Sequence, residues 1–167
     1  FRIESKDIIS DLLNIEGQSN QKNKSEIFKL MKNLKQNLSC YDGVKNLIEY
    51  YKCYQGTRIG LITNGVPEIQ KNKIRSLGIE HNFDQITYTK DLGTEKPNHM
   101  PFISTLKQLK VNAKSALFVG DNPVNDIIPA KEIGMDTMWI DHLDQNDILS
   151  DYRITDPNKI SKTIRGL

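Results

Sequence analysis

The chain has 167 residues, of which 37% are hydrophobic and 26% charged, and its formal net charge is +2. That length suffices for one domain with a buried core. The small net charge, with lysines scattered among carboxylates, argues against a nucleic-acid or membrane-surface partner, and no apolar run approaches the roughly 20 residues that span a bilayer. Cys40 and Cys53 fit no zinc-ligand spacing, so we expect reduced thiols in a cytoplasmic protein.

The first forty residues predict a pair of helices joined by a loose polar connection at 17–24. Apolar residues recur at helical spacing on both sides of that connection, and each set predicts the core-facing side of a helix. The first set is Ile8, Ile9, Leu12, Leu13 and Ile15. The second set is Ile27, Leu30, Met31, Leu34 and Leu38.

From Tyr41 onwards, helices alternate with short apolar strands. Strands are predicted at 58–62, 85–88, 116–119 and 137–140, with a final edge strand at 152–154. Helices are predicted at 43–54, 67–77, 101–109 and 124–133, and a last one begins at Asp156-Pro157. This order predicts an α/β fold with a doubly wound parallel sheet and helices on both faces. Ligands of such sheets bind beyond the carboxyl ends of the strands.

Two polar segments at these strand ends suggest phosphate chemistry. Thr63-Asn64-Gly65 offers a hydroxyl and backbone N–H groups at a strand-to-helix turn, which can bind a phosphoryl group. Taken alone, such a sequence is usually only a turn. Lys96-Pro97 could place a cation where it neutralises charge that develops on a phosphoryl oxygen. A single lysine, however, most often faces solvent.

A third segment runs from Gly120 to Asp126. Gly120 lets the backbone turn, and Asp121 can then project into the site as the hard oxygen ligand that Mg²⁺ prefers. Asp126 lies near the start of the following helix and could orient Lys96 or a metal-bound water. The residues alone leave an alternative open, in which Asn125 or Asp126 simply caps that helix.

In this order, the segments resemble the haloacid dehalogenase (HAD)-like hydrolase superfamily, in particular its phosphatases with a helical cap. The matching stretches are the family's core entry at Tyr41-Asp42-Gly43-Val44, its motif II at 60–65, its motif III at Lys96-Pro97 with Pro101-Phe102, and its motif IV at 118–121 with Asn125-Asp126. The resemblance covers roughly Tyr41 to Asp141.

The resemblance implies a role for each matching residue. Thr63, Asn64, Gly65 and Lys96 would bind the substrate phosphoryl group, and Thr63, Asn64 and Lys96 would be catalytic. Asp121 would ligate Mg²⁺. Asp126 and Asn122 would not bind the metal directly but would support its ligands, and Asp126 would also support Lys96. The substrate would be a small phosphorylated metabolite.

One family element has no counterpart in this sequence. Motif I is an Asp-x-Asp segment that ends a central strand, and its first aspartate is the nucleophile. Before Tyr41 the acidic residues are Glu4, Asp7, Asp11, Glu16 and Glu26, and none follows an apolar strand in that pattern. We therefore expect a C-terminal part of a longer protein, with a partial cap at 1–40 and the core at 41–167, inactive without an Asp-x-Asp segment.

The absent strand has a structural consequence. In the family it lies between the strands that here end at Thr63 and at Asp121, and leaving both unpaired costs about 1–3 kcal/mol for each orphaned backbone group. We expect an upstream segment, a second chain or a swapped strand to fill the gap. The alternative is a phosphatase-like module that binds without catalysing.

Two further classes are less consistent with the residues. A family member that cleaves carbon–halogen bonds would also need the motif I aspartate, and Thr63 with the 120–126 pattern favours phosphate and Mg²⁺. A response-regulator receiver would need an acidic pair near its start and a phosphoacceptor aspartate after a middle strand, and the strand end at Thr63 has neither.

Overall fold

A computed structural model describes residues 22–23, 25–27, 29, 38–142, 144 and 150–166. The chain divides into two units, Phe1–Asn37 and Leu38–Leu167. The predicted partial cap lies mostly outside the described residues and stays a prediction. Lys22 and Asn23 are helical, so the expectation of a polar connection extending to Lys24 is wrong at these two residues.

Helices and strands alternate along the second unit, as predicted. The helices are α1 (Asp42–Lys52), α2 (Pro67–Ser76), α3 (Met100–Leu109), α4 (Ile128–Glu132) and α5 (Ile160–Ile164). The strands are β1 (Gly60–Thr63), β2 (Gln85–Tyr88), β3 (Leu117–Gly120), β4 (Asp136–Ile140) and β5 (Tyr152–Ile154). The longest of these helices has 11 residues, and nothing in the described part of the chain could serve as a membrane-spanning helix.

Two glycines end helices in the way that the sequence predicts. Gly78 follows α2 with φ of 68°, and Gly134 follows α4 with φ of 86°. In each case the next residue donates its N–H back into the helix, Ile79 to the Ile74 carbonyl at 3.3 Å and Met135 to the Ala130 carbonyl at 3.1 Å. A residue without a Cβ adopts this left-handed conformation most readily, so both helices stop there and the chain turns into the next segment.

The strands form two parallel sheets, where the sequence predicted one. The first has the order β1-β2 and the second β3-β4-β5. Gly60 lies opposite Gln85 in the first sheet, and Leu117 lies opposite Asp136 in the second. Within the described residues β1 and β3 do not pair with each other, which is the discontinuity expected if a central strand is absent.

Side chains of β3 alternate between two cores, so helices cover both faces of its sheet as predicted. Phe118 contacts a core formed by Phe102 of α3, Ala130 of α4 and Met135. Leu117 and Val119 contact the other core, whose remaining members come from α1, β4, β5 and α5: Val44, Leu47, Met138, Ile140, Tyr152, Ile154, Ile160 and Ile164. Successive residues of a strand point to opposite faces of the sheet, so β3 contributes side chains to both cores.

A groove separates the two sheets. It is a cavity of about 660 Å³ that β1 and β3 line together with α1 and α3, and its lining is largely apolar: Leu47, Gly60, Ile62, Phe102, Leu117 and Val119. We call this cavity the inter-sheet groove. It occupies the place where the sequence predicted a gap, between the strands that end at Thr63 and at Gly120.

Candidate active site

Lys96 and Asp126 meet beside the carboxyl end of β1. The Lys96 Nζ lies 2.5 Å from Asp126 Oδ1 and 3.4 Å from the Ile62 carbonyl oxygen of β1. Both side chains are largely buried, with 11% and 7% of their surfaces exposed. A buried ion pair of this kind needs hydrogen bonds to compensate for desolvation. Through these contacts the pair connects the end of β1 with the segment that follows β3.

Asp126 has a second partner that fixes its carboxylate. Its Oδ2 accepts the Asn122 N–H at 3.1 Å, while the Asn122 side chain accepts the Asn125 N–H at 2.9 Å. Asn122 is thus the N-cap residue of the helical turn Pro123–Ile127. The alternative in which Asn125 or Asp126 caps the helix is wrong, because Asn122 is the cap residue and the Asp126 side chain points back to it.

Gly120 makes the approach of Asp126 possible. A Cβ at Gly120 would collide with Cβ and Cγ of Asp126. The turn at Pro123–Ile127 has π-helical bonding, which adds a residue to the turn and is frequent at functional sites. The glycine at the end of β3 and this wide turn together bring the Asp126 carboxylate against the strand.

The turn after β1 is held by side chains from two other segments. The buried Thr89 hydroxyl donates to the Thr63 carbonyl at 3.2 Å. The Gly65 N–H donates to Glu95 Oε1 at 3.2 Å, and the Thr63 hydroxyl contacts the Asn64 carbonyl at 3.4 Å. Glu95 therefore already accepts the Gly65 N–H, one of the backbone groups predicted to bind phosphate.

Asn64 bonds to the main chain of Lys96 at two points. Its Nδ2–H donates to the Lys96 carbonyl at 3.0 Å, and its Oδ1 accepts the Lys96 N–H at 3.0 Å. The turn after β1 and the loop that carries Lys96 thus form one connected structure. The predicted residues Thr63, Asn64, Gly65, Lys96 and Asp126 all lie in it.

Asp121 follows β3 directly and is exposed. The indole Nε1–H of Trp139 donates to the Asp121 carbonyl at 3.2 Å, which fixes the backbone at this strand end. Within the described residues no three His, Cys, Asp or Glu side chains come together as a metal-binding group. Mg²⁺ is commonly held by one or two carboxylates with several waters. Asp121 fits one such position, and Asp126, shared between Lys96 and Asn122, does not offer a second.

Several site residues were not predicted from the sequence. Thr89 and Glu95 support the turn after β1, Trp139 supports Asp121, and the Phe118 ring centroid lies 5.6 Å from Lys96 Nζ. Glu95 could have been identified as a candidate from the sequence, because it directly precedes Lys96. Thr89 and Trp139 resemble ordinary core residues, and Phe118 lies in motif IV without a role of its own, so only the folded structure brings these three to the site.

The fold agrees with comparison to known proteins. Residues 2–140 match the family described as haloacid dehalogenase-like hydrolase. The chain therefore belongs to the haloacid dehalogenase-like hydrolases.

Curated relatives are mainly phosphatases. A glyceraldehyde 3-phosphate phosphatase of Methanopyrus kandleri is 33% identical over 119 residues, which are 67% of this chain and 51% of that protein. A protein of the same description from Pyrococcus abyssi is 40% identical over 84 residues, 50% of this chain and 35% of that protein. A phosphoserine phosphatase of Thermus thermophilus is 34% identical over 86 residues, 52% of this chain and 34% of that protein. The chain thus spans between a third and a half of these relatives.

Solved structures agree in fold. The putative HAD-hydrolase YfnB of Bacillus subtilis, bound to magnesium, superposes with a TM-score of 0.76 at 23% identity, covering 93% of this chain and 68% of that one. A 2-haloacid dehalogenase of Pseudomonas syringae has a TM-score of 0.71 at 26% identity, covering 91% of this chain and 63% of that one.

Proposed function

We propose that the whole protein is a Mg²⁺-dependent phosphomonoester hydrolase that acts on a small phosphorylated metabolite. The observation that carries the proposal is the buried Lys96–Asp126 pair, 2.5 Å apart, beside the turn that begins at Thr63. A cation fixed at the carboxyl ends of two parallel strands suits an anionic substrate. The family match and the phosphatases among the relatives support the same reaction class.

Each residue has a role in this proposal. The Thr63 hydroxyl donates a hydrogen bond to a phosphoryl oxygen, and the Gly65 N–H would do so once its contact with Glu95 Oε1 opens. Lys96 stabilises the negative charge of the phosphoryl group and of the attacking carboxylate, and Asp126 with Asn122 keeps Lys96 in place. Asp121 would hold Mg²⁺, which when bound supplies further positive charge to the phosphoryl oxygens.

The nucleophile would come from a strand in the inter-sheet groove. The facing edges belong to β1 and β3, which both run parallel to their neighbours, so a parallel strand between them would continue the order β2-β1-strand-β3-β4-β5. Neighbouring strands lie about 4.8 Å apart, and an apolar strand suits the apolar lining. An aspartate at its carboxyl end would emerge between Thr63 and Asp121. An upstream segment or a second chain would supply it, and the 167 residues alone would be inactive.

Two other activities are distinguishable from this one. A non-catalytic binding module would bind phosphate in the same place but would gain no activity from an added Asp-x-Asp strand. A dehalogenase, the class named for the Pseudomonas syringae structure, would act on a haloacid. The hydroxyl of Thr63 and the carboxylate of Asp121 favour phosphate.

Binding of inorganic phosphate in the presence of Mg²⁺ tests the proposed site without the nucleophile. We expect Lys96→Met and Thr63→Ala each to weaken binding by about tenfold or more, since each removes a hydrogen-bond donor to the anion. Lys107→Met, which removes an exposed lysine of α3, is the matched control. Phosphate affinity unaffected by Lys96→Met would contradict the assignment.

A further inference from the structure

The side chain of Asn64 lies at the junction between the turn after β1 and the loop that carries Lys96. Its two polar atoms are both bonded to the main chain of Lys96, at 3.0 Å each. Lys96 belongs to neither a helix nor a strand, so its backbone has no regular ladder to hold it. In such a loop a side-chain amide can replace the missing backbone partner.

Two neighbouring contacts reinforce the same junction. The Gly65 N–H donates to Glu95 Oε1 at 3.2 Å, and the Lys96 Nζ reaches the Ile62 carbonyl at 3.4 Å. These contacts attach the loop to β1 through Lys96 Nζ and to the turn after β1 through Glu95. The long Lys96 side chain leaves Nζ a range of positions, and a fixed Lys96 backbone narrows that range around its contact with Asp126.

We propose that Asn64 is a positioning residue that acts through Lys96: its amide holds the Lys96 backbone so that the ammonium is directed at Asp126 and at the phosphate site. This inference rests on the proposed function, and it gives the Asn64 side chain a different task from direct binding of the phosphoryl group. The orientation of the amide is already fixed by its two bonds to Lys96. Thr63 and Lys96 then remain the side chains that bind the phosphoryl group directly.

The inference predicts two local signals in the absence of any ligand. The Lys96 amide N–H bonds to Asn64 Oδ1, so Asn64→Ala is expected to speed its hydrogen exchange by about tenfold. The same substitution is expected to shift or broaden the NMR signal of the Lys96 ammonium, which can be assigned with Lys96→Met. Asn112→Ala is the matched control, because Asn112 Oδ1 accepts the Lys114 N–H at 3.0 Å and lies in another part of the chain.

Asn64→Asp separates the two halves of the contact. An aspartate still accepts the Lys96 N–H but cannot donate to the Lys96 carbonyl. Exchange of the Lys96 amide is therefore expected to lie between the rates of the unsubstituted protein and Asn64→Ala. Exchange and ammonium signals that are unchanged in Asn64→Ala would overturn the inference, whether or not the chain binds phosphate.

A double-mutant cycle on phosphate affinity then distinguishes action through Lys96 from direct binding. With Mg²⁺ and inorganic phosphate, Asn64→Ala is expected to weaken binding in the unsubstituted protein but to have no further effect in Lys96→Met. Equal fold-changes in both backgrounds would show that Asn64 contacts phosphate directly and would overturn the inference. Absence of phosphate binding by the unsubstituted protein would count against the proposed function alone, since the exchange experiment decides the positioning role independently.

Discussion

Lys96 Nζ and Asp126 Oδ1 lie 2.5 Å apart, in side chains only 11% and 7% exposed. Thirty residues separate them along the chain, and the pair links the β1-β2 sheet to the segment after β3. The two sheets do not pair with each other in the described residues, and this buried contact is one of the polar connections between them. It is therefore expected to matter for stability as well as for the proposed chemistry.

Breaking the pair from one side is expected to destabilise the fold. Lys96→Met leaves the Asp126 carboxylate buried without its cation, and Asp126→Asn leaves the ammonium buried without its anion. Each is expected to lower the free energy of unfolding by about 3 kcal/mol, and the double variant by less than the sum. Urea unfolding measures all three values.

The exposed pair Arg75–Glu80 provides the control for that series. Its atoms are 3.4 Å apart, with side chains 60% and 34% exposed. Arg75→Met is expected to cost about 0.5 kcal/mol or less, because solvent screens such pairs. Equal losses for Lys96→Met and Arg75→Met would show that burial does not strengthen the Lys96–Asp126 pair.

Gly120→Ala tests the close approach of Asp126 to β3. The added Cβ would meet the Asp126 side chain, so either β3 or the Pro123–Ile127 turn must move. We expect a loss of about 1–3 kcal/mol in the free energy of unfolding, typical of overpacking, and a disturbed Lys96 ammonium signal. Gly166→Ala, whose Cβ would have ordinary contacts at 3.5 and 3.6 Å, should leave both unchanged.

Asp151 predicts part of the dependence of stability on pH. Hydrogen bonds from Lys131 and Thr137 hold the pKa of Asp151 below its usual 3.8. A carboxyl group whose pKa is lower in the folded state stabilises the fold above the unfolded-state pKa, and this stabilisation is lost as the pH falls through the folded-state pKa. The difference in unfolding free energy between the unsubstituted protein and Asp151→Asn should therefore be constant near neutral pH and shrink below about pH 3.8.

Acid-dependent urea unfolding of both proteins measures that difference. Asp91→Asn, at an exposed position, serves as the comparison. If the stability difference for Asp151→Asn remained the same down to pH 2, the contacts of Asp151 with Lys131 and Thr137 would not control its ionisation.

The sequence predicted the order of the elements because local patterns determine it, whereas the roles of the candidate site residues stay predictions. Alternating apolar strands and helix-ending glycines such as Gly78 gave the order of elements, whereas Thr63, Lys96, Asp121 and Asp126 became candidates through the resemblance of their motifs to the family. The division into two sheets follows from which strands can pair, so local patterns did not predict it. The resemblance alone indicated a gap, through the central strand that has no counterpart in this sequence. Thr89 and Trp139 enter the site only through contacts with residues 26 and 18 positions away.

The inter-sheet groove is expected to bind an apolar probe until a strand fills it. The groove offers about 660 Å³ lined largely by apolar side chains, so the fluorescence of an apolar dye should rise when the chain is added. A peptide with an apolar strand that ends in Asp-x-Asp should displace the dye, and a scrambled peptide should not. Equal displacement by both peptides would argue against strand addition in the groove.

In the proposed function, this chain holds a phosphatase site that a nucleophile strand completes. The most direct measurement is Mg²⁺-dependent hydrolysis of p-nitrophenyl phosphate by the purified chain, with native mass recorded, before and after addition of the Asp-x-Asp peptide. We predict no hydrolysis by a species of 19.1 kDa, and hydrolysis that appears with the peptide and is lost in Lys96→Met. Hydrolysis by the 19.1 kDa chain alone, or a peptide that binds in the groove without restoring activity, would contradict the account.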